Sequence, residues 1–85
     1  MSVVNETKAT IYSKPGCVQC NAMALHLQTK GVPFEKIDVT QNEAAYNWVT
    51  EMGYQGVPVT VIGFEHFHGF DPDQANRAID KMRAA

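Results

Sequence analysis

Runs with strand character alternate with helical segments along this 85-residue chain, and glycine or proline separates most of them. The strand-like runs are short and rich in β-branched and aromatic residues. They cover Ala9–Ser13, Phe34–Val39, Val57–Ile62 and Glu65–Phe67. The resulting order, β-α-β-α-β-β-α, predicts an α/β fold with parallel pairing across the crossovers and a hairpin near the end.

Three segments repeat apolar residues with the spacing of an amphipathic helix. The first opens at the cysteine pair that begins with Cys17. The second opens at a predicted capping box, in which Thr40 and Glu43 satisfy each other's backbone donors. The third opens with Asp71 as N-cap and Pro72 at the first helical position. The apolar faces predicted for the three helices are Cys20, Met23, Ala24 and Leu27, then Ala45, Trp48, Val49 and Met52, then Ala75, Ala78, Ile79 and Met82.

Composition excludes several classes of protein. The chain is 45% hydrophobic and 19% charged, as in an ordinary globular protein. Its net charge is -2, so it has no excess of positive charge that would attract nucleic acid or an anionic membrane. No apolar run approaches the roughly 20 residues that span a bilayer. Residues Met1–Lys8 are polar and lack the basic region followed by an apolar region that is typical of a signal peptide. We therefore expect a single domain over residues 1–85, a monomer of the cytoplasm.

The only two cysteines, Cys17 and Cys20, lie three positions apart between a predicted strand and a predicted helix. A disulfide closing so short a loop stabilises a fold by only about 2 kcal/mol on the loop-entropy model. At a helix N-terminus, however, the positive end of the helix dipole and unpaired N–H groups favour a thiolate, which is the nucleophile. We predict that Cys17 is the attacking thiol and Cys20 the resolving thiol. Lys14 would add a positive charge nearby.

A metal site is the competing interpretation of the cysteine pair, since two cysteines at this spacing form half of many zinc sites. A tetrahedral structural site needs two further ligands. The available histidines are His26, His66 and His68, and their spacing matches no common zinc finger or ribbon. A non-catalytic metal-binding module remains the alternative from another functional class, whereas we predict a redox protein with no metal.

Three segments resemble a known family: Thr10–Ala22, Gly53–Val59 and His66–Pro72. They are similar to the NrdH redoxins, glutaredoxin-like proteins that donate electrons to class Ib ribonucleotide reductase. Val18 and Gln19 between the cysteines are typical of that group, whereas dithiol glutaredoxins usually carry proline and tyrosine there. The resemblance spans nearly the whole chain. It implies a thioredoxin fold with a four-stranded mixed sheet and three helices.

The resemblance also implies a mechanism and partners. Cys17 would attack a target disulfide, and Cys20 would then attack the mixed disulfide to release the reduced target. Electrons would come from thioredoxin reductase, which uses NADPH, and would pass to the large subunit of class Ib ribonucleotide reductase. No bound cofactor is expected, because the Cys17–Cys20 disulfide is itself the redox group. The supporting residues that the resemblance implies are Lys14, Val57, Pro58 after a cis bond, Gly69 and Phe70.

One segment departs from the family pattern, which usually reads Trp-Ser-Gly-Phe-Arg-Pro where this chain has Phe67–Pro72. His68 stands at the serine position and Asp71 at the arginine position. An aspartate here resembles the glutathione-binding glutaredoxins, so a glutathione-dependent glutaredoxin is the alternative function. Its expected glutathione contacts are Lys14, Val57, Gly69 and Asp71.

The reductant is nevertheless predicted to be thioredoxin reductase. The Val18–Gln19 pair favours that branch, and the ring of His68 would crowd an approaching peptide. Asp71 also has a structural role as the predicted N-cap. Phe67, His68 and Asp71 are candidate contacts to a partner or to glutathione. For Phe67 and Phe70, core packing and partner docking remain equally open.

Overall fold

The computed structural model describes residues 8–84. Within them the predicted order of strands and helices is confirmed. The elements are β1 (Ala9–Ser13), α1 (Val18–Thr29), β2 (Phe34–Asp38), α2 (Glu43–Glu51), β3 (Val59–Ile62), β4 (Glu65–His68) and α3 (Pro72–Ala84). None of the helices in this range is both long enough and apolar enough to cross a membrane.

The four strands form a mixed sheet in the order β2-β1-β3-β4. β1 is parallel to β2, whereas β3 is antiparallel to both β1 and β4. Parallel pairing was therefore predicted correctly for the crossover through α1 and wrongly for the crossover through α2. The reason is that β2 ends and β3 begins at the same end of the sheet. The segment containing α2 does not carry the chain back to the opposite end, so β3 runs in the direction opposite to β2.

The strand boundaries differ from the predicted ones in three places. β2 ends one residue early, at Asp38, and β4 continues one residue further, to His68. β3 begins at Val59 rather than at Val57. Pro58 has no N–H to donate to a neighbouring strand, which explains why the ladder begins after it.

The start of α2 corrects the predicted capping box. Asn42 is the N-cap, and its side-chain oxygen accepts a 3.0 Å hydrogen bond from the N–H of Ala45. Thr40 bonds instead to Asp38, whose Oδ1 accepts from the Thr40 hydroxyl at 2.6 Å and from its N–H at 2.8 Å. Thr40 therefore closes the turn after β2, and Glu43 becomes the first residue of the helix.

The main core lies between one face of the sheet and the two helices α1 and α3. Ile11, Thr60 and Phe67 are in register across β1, β3 and β4, so their side chains share this face. The buried residues of the cluster are Ala9, Ile11, Met23, Leu27, Val32, Ile62, Phe67, Ala75, Ala78, Ile79 and Met82.

The opposite face of the sheet carries Tyr12 and His68 and is covered by α2. The half-buried ring of Trp48 stacks on Tyr12 with 5.0 Å between centroids. Burial, followed by the charge of Glu35, raises the pKa of the Tyr12 phenol, so this ring is neutral near pH 7. Met52, predicted on the buried side of α2, lies just beyond the helix and is exposed. That prediction was wrong because the helix ends one residue before it.

Candidate active site

Cys17 and Cys20 form a disulfide at the junction of β1 and α1, with their Cα atoms 5.2 Å apart. Gly16 turns the chain there with a φ of +74°, which side chains disfavour. Cys17 is the N-cap of α1, and its sulfur accepts a 3.1 Å hydrogen bond from the N–H of Cys20. One of the N–H groups that every helix N-terminus leaves unpaired therefore points at Cys17 Sγ.

This arrangement distinguishes the two sulfurs chemically. The hydrogen bond and the helix dipole both stabilise negative charge on Cys17 Sγ, and the first turn of α1 contains no acidic side chain to oppose them. Cys17 is 9% exposed and Cys20 is 1% exposed. An incoming thiolate therefore reaches Cys17 more easily, although Cys17 is itself nearly buried in the disulfide form. The attacking role of Cys17 and the resolving role of Cys20 stay predictions.

The loop that carries Pro58 lies beside the end of β4. Pro58 is buried, and the Val57–Pro58 bond is cis, as the resemblance implied. Its carbonyl accepts a 2.8 Å hydrogen bond from the N–H of Gly69. Gly69 has a φ of +84°, and a Cβ built there would lie 3.7 Å from Oε1 of Gln19. Three segments that are distant in sequence therefore meet at the disulfide end of the molecule.

Comparison with known proteins identifies the family. The family model described as glutaredoxin matches residues 9–67. The chain belongs to the glutaredoxin family. It is 34% identical over 78 residues to the glutaredoxin-like protein NrdH of Escherichia coli strain K12, covering 92% of this chain and 96% of that relative. It is also 36% identical over 78 residues to the Gene 56 protein of Mycobacterium phage L5, covering 89% of this chain and 76% of the phage protein.

Solved structures share the fold of this glutaredoxin. The NrdH-redoxin of Escherichia coli matches with a TM-score of 0.78 at 34% identity, over 82% of this chain and 92% of that one. Buckwheat glutaredoxin, solved as a complex with glutathione, matches in fold with a TM-score of 0.68 at 20% identity, over 87% and 74% of the chains. The thioredoxin fold and the resemblance to NrdH redoxins are confirmed, and the chain is a thiol–disulfide oxidoreductase.

The two candidate phenylalanines of this glutaredoxin have different environments. Phe67 is 3% exposed and belongs to the core. The suggestion that it contacts a partner or glutathione is therefore wrong, because β4 turns this side chain toward α1 and α3. Phe70 is 43% exposed and approaches His26 of α1 edge-on, with 6.4 Å between ring centroids. His26 is in turn hydrogen-bonded to Asn76 of α3 at 2.8 Å.

His68 stacks on Tyr54 on the α2 side of the sheet, with 6.2 Å between ring centroids and 19° between planes. The hydroxyl of Tyr54 lies 2.6 Å from Nδ1 of His66. A Cβ at Gly56 would lie 3.8 Å from Nε2 of His68, so the imidazole lies against the segment that leads into Pro58. Tyr54 was not singled out from the sequence, since it lies in the segment before β3 and only the tertiary structure brings this segment against His68 of β4.

Asp71 caps α3 as predicted, because its Oδ1 accepts a 3.1 Å hydrogen bond from the N–H of Gln74. Lys14 lies exposed on the segment between β1 and α1. Its effect on the thiolate stays a prediction, as do the expected glutathione contacts Lys14, Val57, Gly69 and Asp71. Within residues 8–84, no three side chains of His, Cys, Asp or Glu come together as a metal site would require.

Proposed function

We propose that this glutaredoxin carries electrons from thioredoxin reductase, at the expense of NADPH, to a disulfide of class Ib ribonucleotide reductase. The observation that carries the proposal is the position of Cys17 as N-cap of α1, with the N–H of Cys20 donating to its sulfur. The relationship to NrdH supports the choice of partners. The Escherichia coli NrdH-redoxin is described as having a thioredoxin-like activity profile.

The reduced chain acts first through Cys17. Its thiolate attacks one sulfur of the acceptor disulfide, that S–S bond breaks, and the other acceptor sulfur leaves as a thiolate that takes a proton. Cys20 loses its proton and attacks Cys17 Sγ, which forms the internal disulfide and expels the second acceptor thiolate. Two electrons have then passed to the acceptor. The chain needs no bound cofactor for these steps, and we propose that it works as a cytoplasmic monomer.

A glutathione-dependent glutaredoxin is the second candidate, and Asp71 is the residue that favours it. We propose that glutathione is the poorer reductant for two reasons. Oδ1 of Asp71 is already hydrogen-bonded to the backbone of α3. The ring of His68 lies against the segment leading to Pro58, where a bound peptide would approach the disulfide.

The test is a pair of NADPH-coupled assays on the oxidised wild-type chain. One contains thioredoxin reductase, and the other contains glutathione with glutathione reductase. We expect rapid turnover in the first and little in the second. Rapid turnover with glutathione and none with thioredoxin reductase would show that the chain functions as a glutathione-dependent glutaredoxin. The acceptor is tested by following deoxyribonucleotide formation with class Ib ribonucleotide reductase.

A further inference from the structure

The tight turn between β3 and β4 carries an aromatic residue that its backbone does not require. The turn consists of two residues, Gly63 and Phe64, because Ile62 pairs directly with Glu65. Gly63 has a φ of +60°, whereas no residue other than glycine has a positive φ within residues 8–84. These signs are those of a type II′ turn, which needs glycine at its first central position. The turn geometry therefore accounts for Gly63 but not for a phenylalanine at position 64.

The ring of Phe64 points into water. It is 87% exposed, more than any other large apolar side chain within residues 8–84. Turns are usually built from Gly, Pro, Asn, Asp and Ser. An isolated exposed apolar residue is ordinary on a protein surface. Phe64 differs because an apolar cavity lies directly beside it.

The cavity lies between the β3–β4 turn and helix α3 and has a volume of about 180 Å³. Its apolar walls are Ile62, Ala78 and Met82, which are buried residues of the core. A Cβ built on Gly63 would lie 3.7 Å from Cβ of Met82, so the turn rests on α3 at this point. Phe64 lines the cavity, but its exposed ring does not fill it. A cavity of about 150 Å³ accommodates benzene, so this cavity has room for a phenyl ring.

Two charged side chains complete the rim of the cavity. Nζ of Lys81 lies 3.4 Å from Oε2 of Glu65, and the two side chains are 69% and 45% exposed. The rim therefore carries one cation and one anion, with no net charge to repel a second copy of the chain. In a contact around a two-fold axis, Lys81 of each copy can pair with Glu65 of the other.

We propose that the β3–β4 turn and its cavity are a self-association surface, in which Phe64 of each copy fills the cavity of a second copy. The ring and the cavity are neighbours on one surface, so this surface is self-complementary, as a two-fold contact between identical chains requires. The second copy supplies an aromatic ring that matches the apolar walls in chemistry and the volume in size. It also supplies the opposite charge for each member of the Lys81–Glu65 pair.

The self-association surface lies at the end of the sheet opposite the disulfide. Ile62 pairs with Ala9 at the start of β1, whereas Cys17 follows the end of β1. Cys17 of both copies therefore stays accessible when the two surfaces meet. The dimer goes beyond the proposed function and leaves the electron-transfer steps unchanged.

The size of this contact predicts a weak dimer. Each aromatic side chain buries about 150–250 Å², so two rings and the walls that receive them remove on the order of 800 Å² from water. Stable interfaces bury about 1,200–2,000 Å² in total. We expect half of the chains to be dimeric at a total concentration on the order of 1 mM. At micromolar concentrations the chain is then a monomer, which is the form that carries electrons in the proposed function.

Sedimentation equilibrium of the oxidised full-length chain tests the dimer. The weight-average mass of the wild type should rise about 1.5-fold between about 20 µM and about 1 mM, by mass action. Phe64→Ser should keep the mass of a single chain over the whole range. Leu25→Ser is the matched control and should associate like the wild type, since Leu25 is 63% exposed on α1 and does not line the cavity.

An exchange of charges tests the two-fold arrangement. Lys81→Glu alone should weaken association severalfold, because each rim then carries two anions that repel those of the other copy. The double variant Lys81→Glu with Glu65→Lys restores one charge of each sign and should associate like the wild type. Electrophoresis without reductant checks that no disulfide joins the copies.

A wild-type chain that stays monomeric at the highest concentration would overturn the inference, whether the cavity is empty or filled from within the same chain. Equal association of the wild type and Phe64→Ser would overturn it too, as would an equal loss in Leu25→Ser. A mass above that of two chains would indicate an open assembly in place of a two-fold dimer and would also overturn it. Thermal unfolding checks that each variant keeps the fold.

Turnover with thioredoxin reductase separates self-association from the proposed function. At micromolar concentration Phe64→Ser should turn over like the wild type, because the self-association surface and the disulfide lie at opposite ends of the sheet. Loss of turnover in a folded Phe64→Ser chain would assign Phe64 to a redox partner and overturn the inference. Failure of the wild type itself with thioredoxin reductase would overturn only the proposed reductant.

Discussion

The backbone N–H of Gly69 donates a 2.8 Å hydrogen bond to the carbonyl of Pro58. This bond joins the end of β4 to the loop beside the disulfide. Gly69 lies at a φ of +84°, with the side chain of Gln19 next to the position that a Cβ would occupy. The conformation of Gly69 therefore helps to hold the end of β4 against the Pro58 loop, next to the redox-active cysteines.

Gly69→Ala should lower both stability and activity. A side chain at positive φ lowers the free energy of unfolding by about 1–2 kcal/mol, and the strain falls on the contact between the Pro58 loop and the helix that carries Cys20. We expect kcat/KM with thioredoxin reductase to fall severalfold. Urea unfolding and the NADPH-coupled assay measure the two effects.

Gly31→Ala is the matched control for this prediction. Gly31 has a φ of +71° and open space around its Cβ position, and it follows the end of α1 that lies away from the disulfide. Gly31→Ala should lower the free energy of unfolding by a similar amount while leaving kcat/KM with thioredoxin reductase unchanged. Equal kcat/KM values for the two alanine variants would refute the role assigned to Gly69.

The two thiols of the reduced chain should differ in reactivity. Cys17 accepts a helix N–H and is the more exposed, so iodoacetamide at neutral pH should modify it first. Cys20→Ser should accumulate a mixed disulfide with the acceptor, and Cys17→Ser should abolish turnover. Mass spectrometry of the peptides identifies the alkylated residue. Equal alkylation rates for Cys17 and Cys20 would count against the assignment.

Substitutions at Asp71 should separate its structural role from glutathione binding. Asp71→Ala removes the cap of α3 and should lower the free energy of unfolding by about 1 kcal/mol, whereas Asp71→Asn retains a capping oxygen and should change it little. Both variants should retain turnover with thioredoxin reductase. The opposite outcome is that the wild type shows substantial glutathione-dependent turnover and Asp71→Asn loses this turnover while remaining folded. That result would show that Asp71 is a glutathione ligand.

His68→Ser should raise the glutathione-dependent rate severalfold, because it removes the imidazole that lies against the segment leading to Pro58. Turnover with thioredoxin reductase should change little. His66→Ser is the control, since His66 lies on the same face of β4 and contacts the same tyrosine, Tyr54. An unchanged glutathione rate in His68→Ser would show that the ring does not limit access.

Thr60→Val should stabilise the protein. Thr60 is fully buried, and its hydroxyl has no hydrogen-bond partner among the described residues. Valine has nearly the same shape and no polar group to satisfy, so we expect the free energy of unfolding to rise by about 1 kcal/mol. Thr10→Val, at a half-buried site on the opposite face of the sheet, should change it less. A loss of stability in Thr60→Val, measured by urea unfolding, would reveal a partner for this hydroxyl.

Several features could be predicted because they depend on residues only a few positions apart. Cys17 and Cys20 share one helical turn, so their place at the start of α1 follows from the strand-like and helical runs on either side. Asp71 caps α3 through the N–H three residues later, within the same segment. The prediction at Thr40 failed even at this range, because two capping arrangements compete there and Asp38 binds the Thr40 side chain.

The sequence by itself therefore determined the order of the elements, the site of the disulfide and the cap of α3, all of which are local. Only the tertiary structure decided which face of β4 became the core. Alternation places Phe67 and His68 on opposite faces, but the register with β3 and the positions of α1 and α3 make Phe67 the buried one. The same pairing brings Gly69 to Pro58, and the packing of the segment before β3 against β4 brings Tyr54 to His68. These contacts join residues that no local pattern relates, because they depend on how strands distant in sequence align.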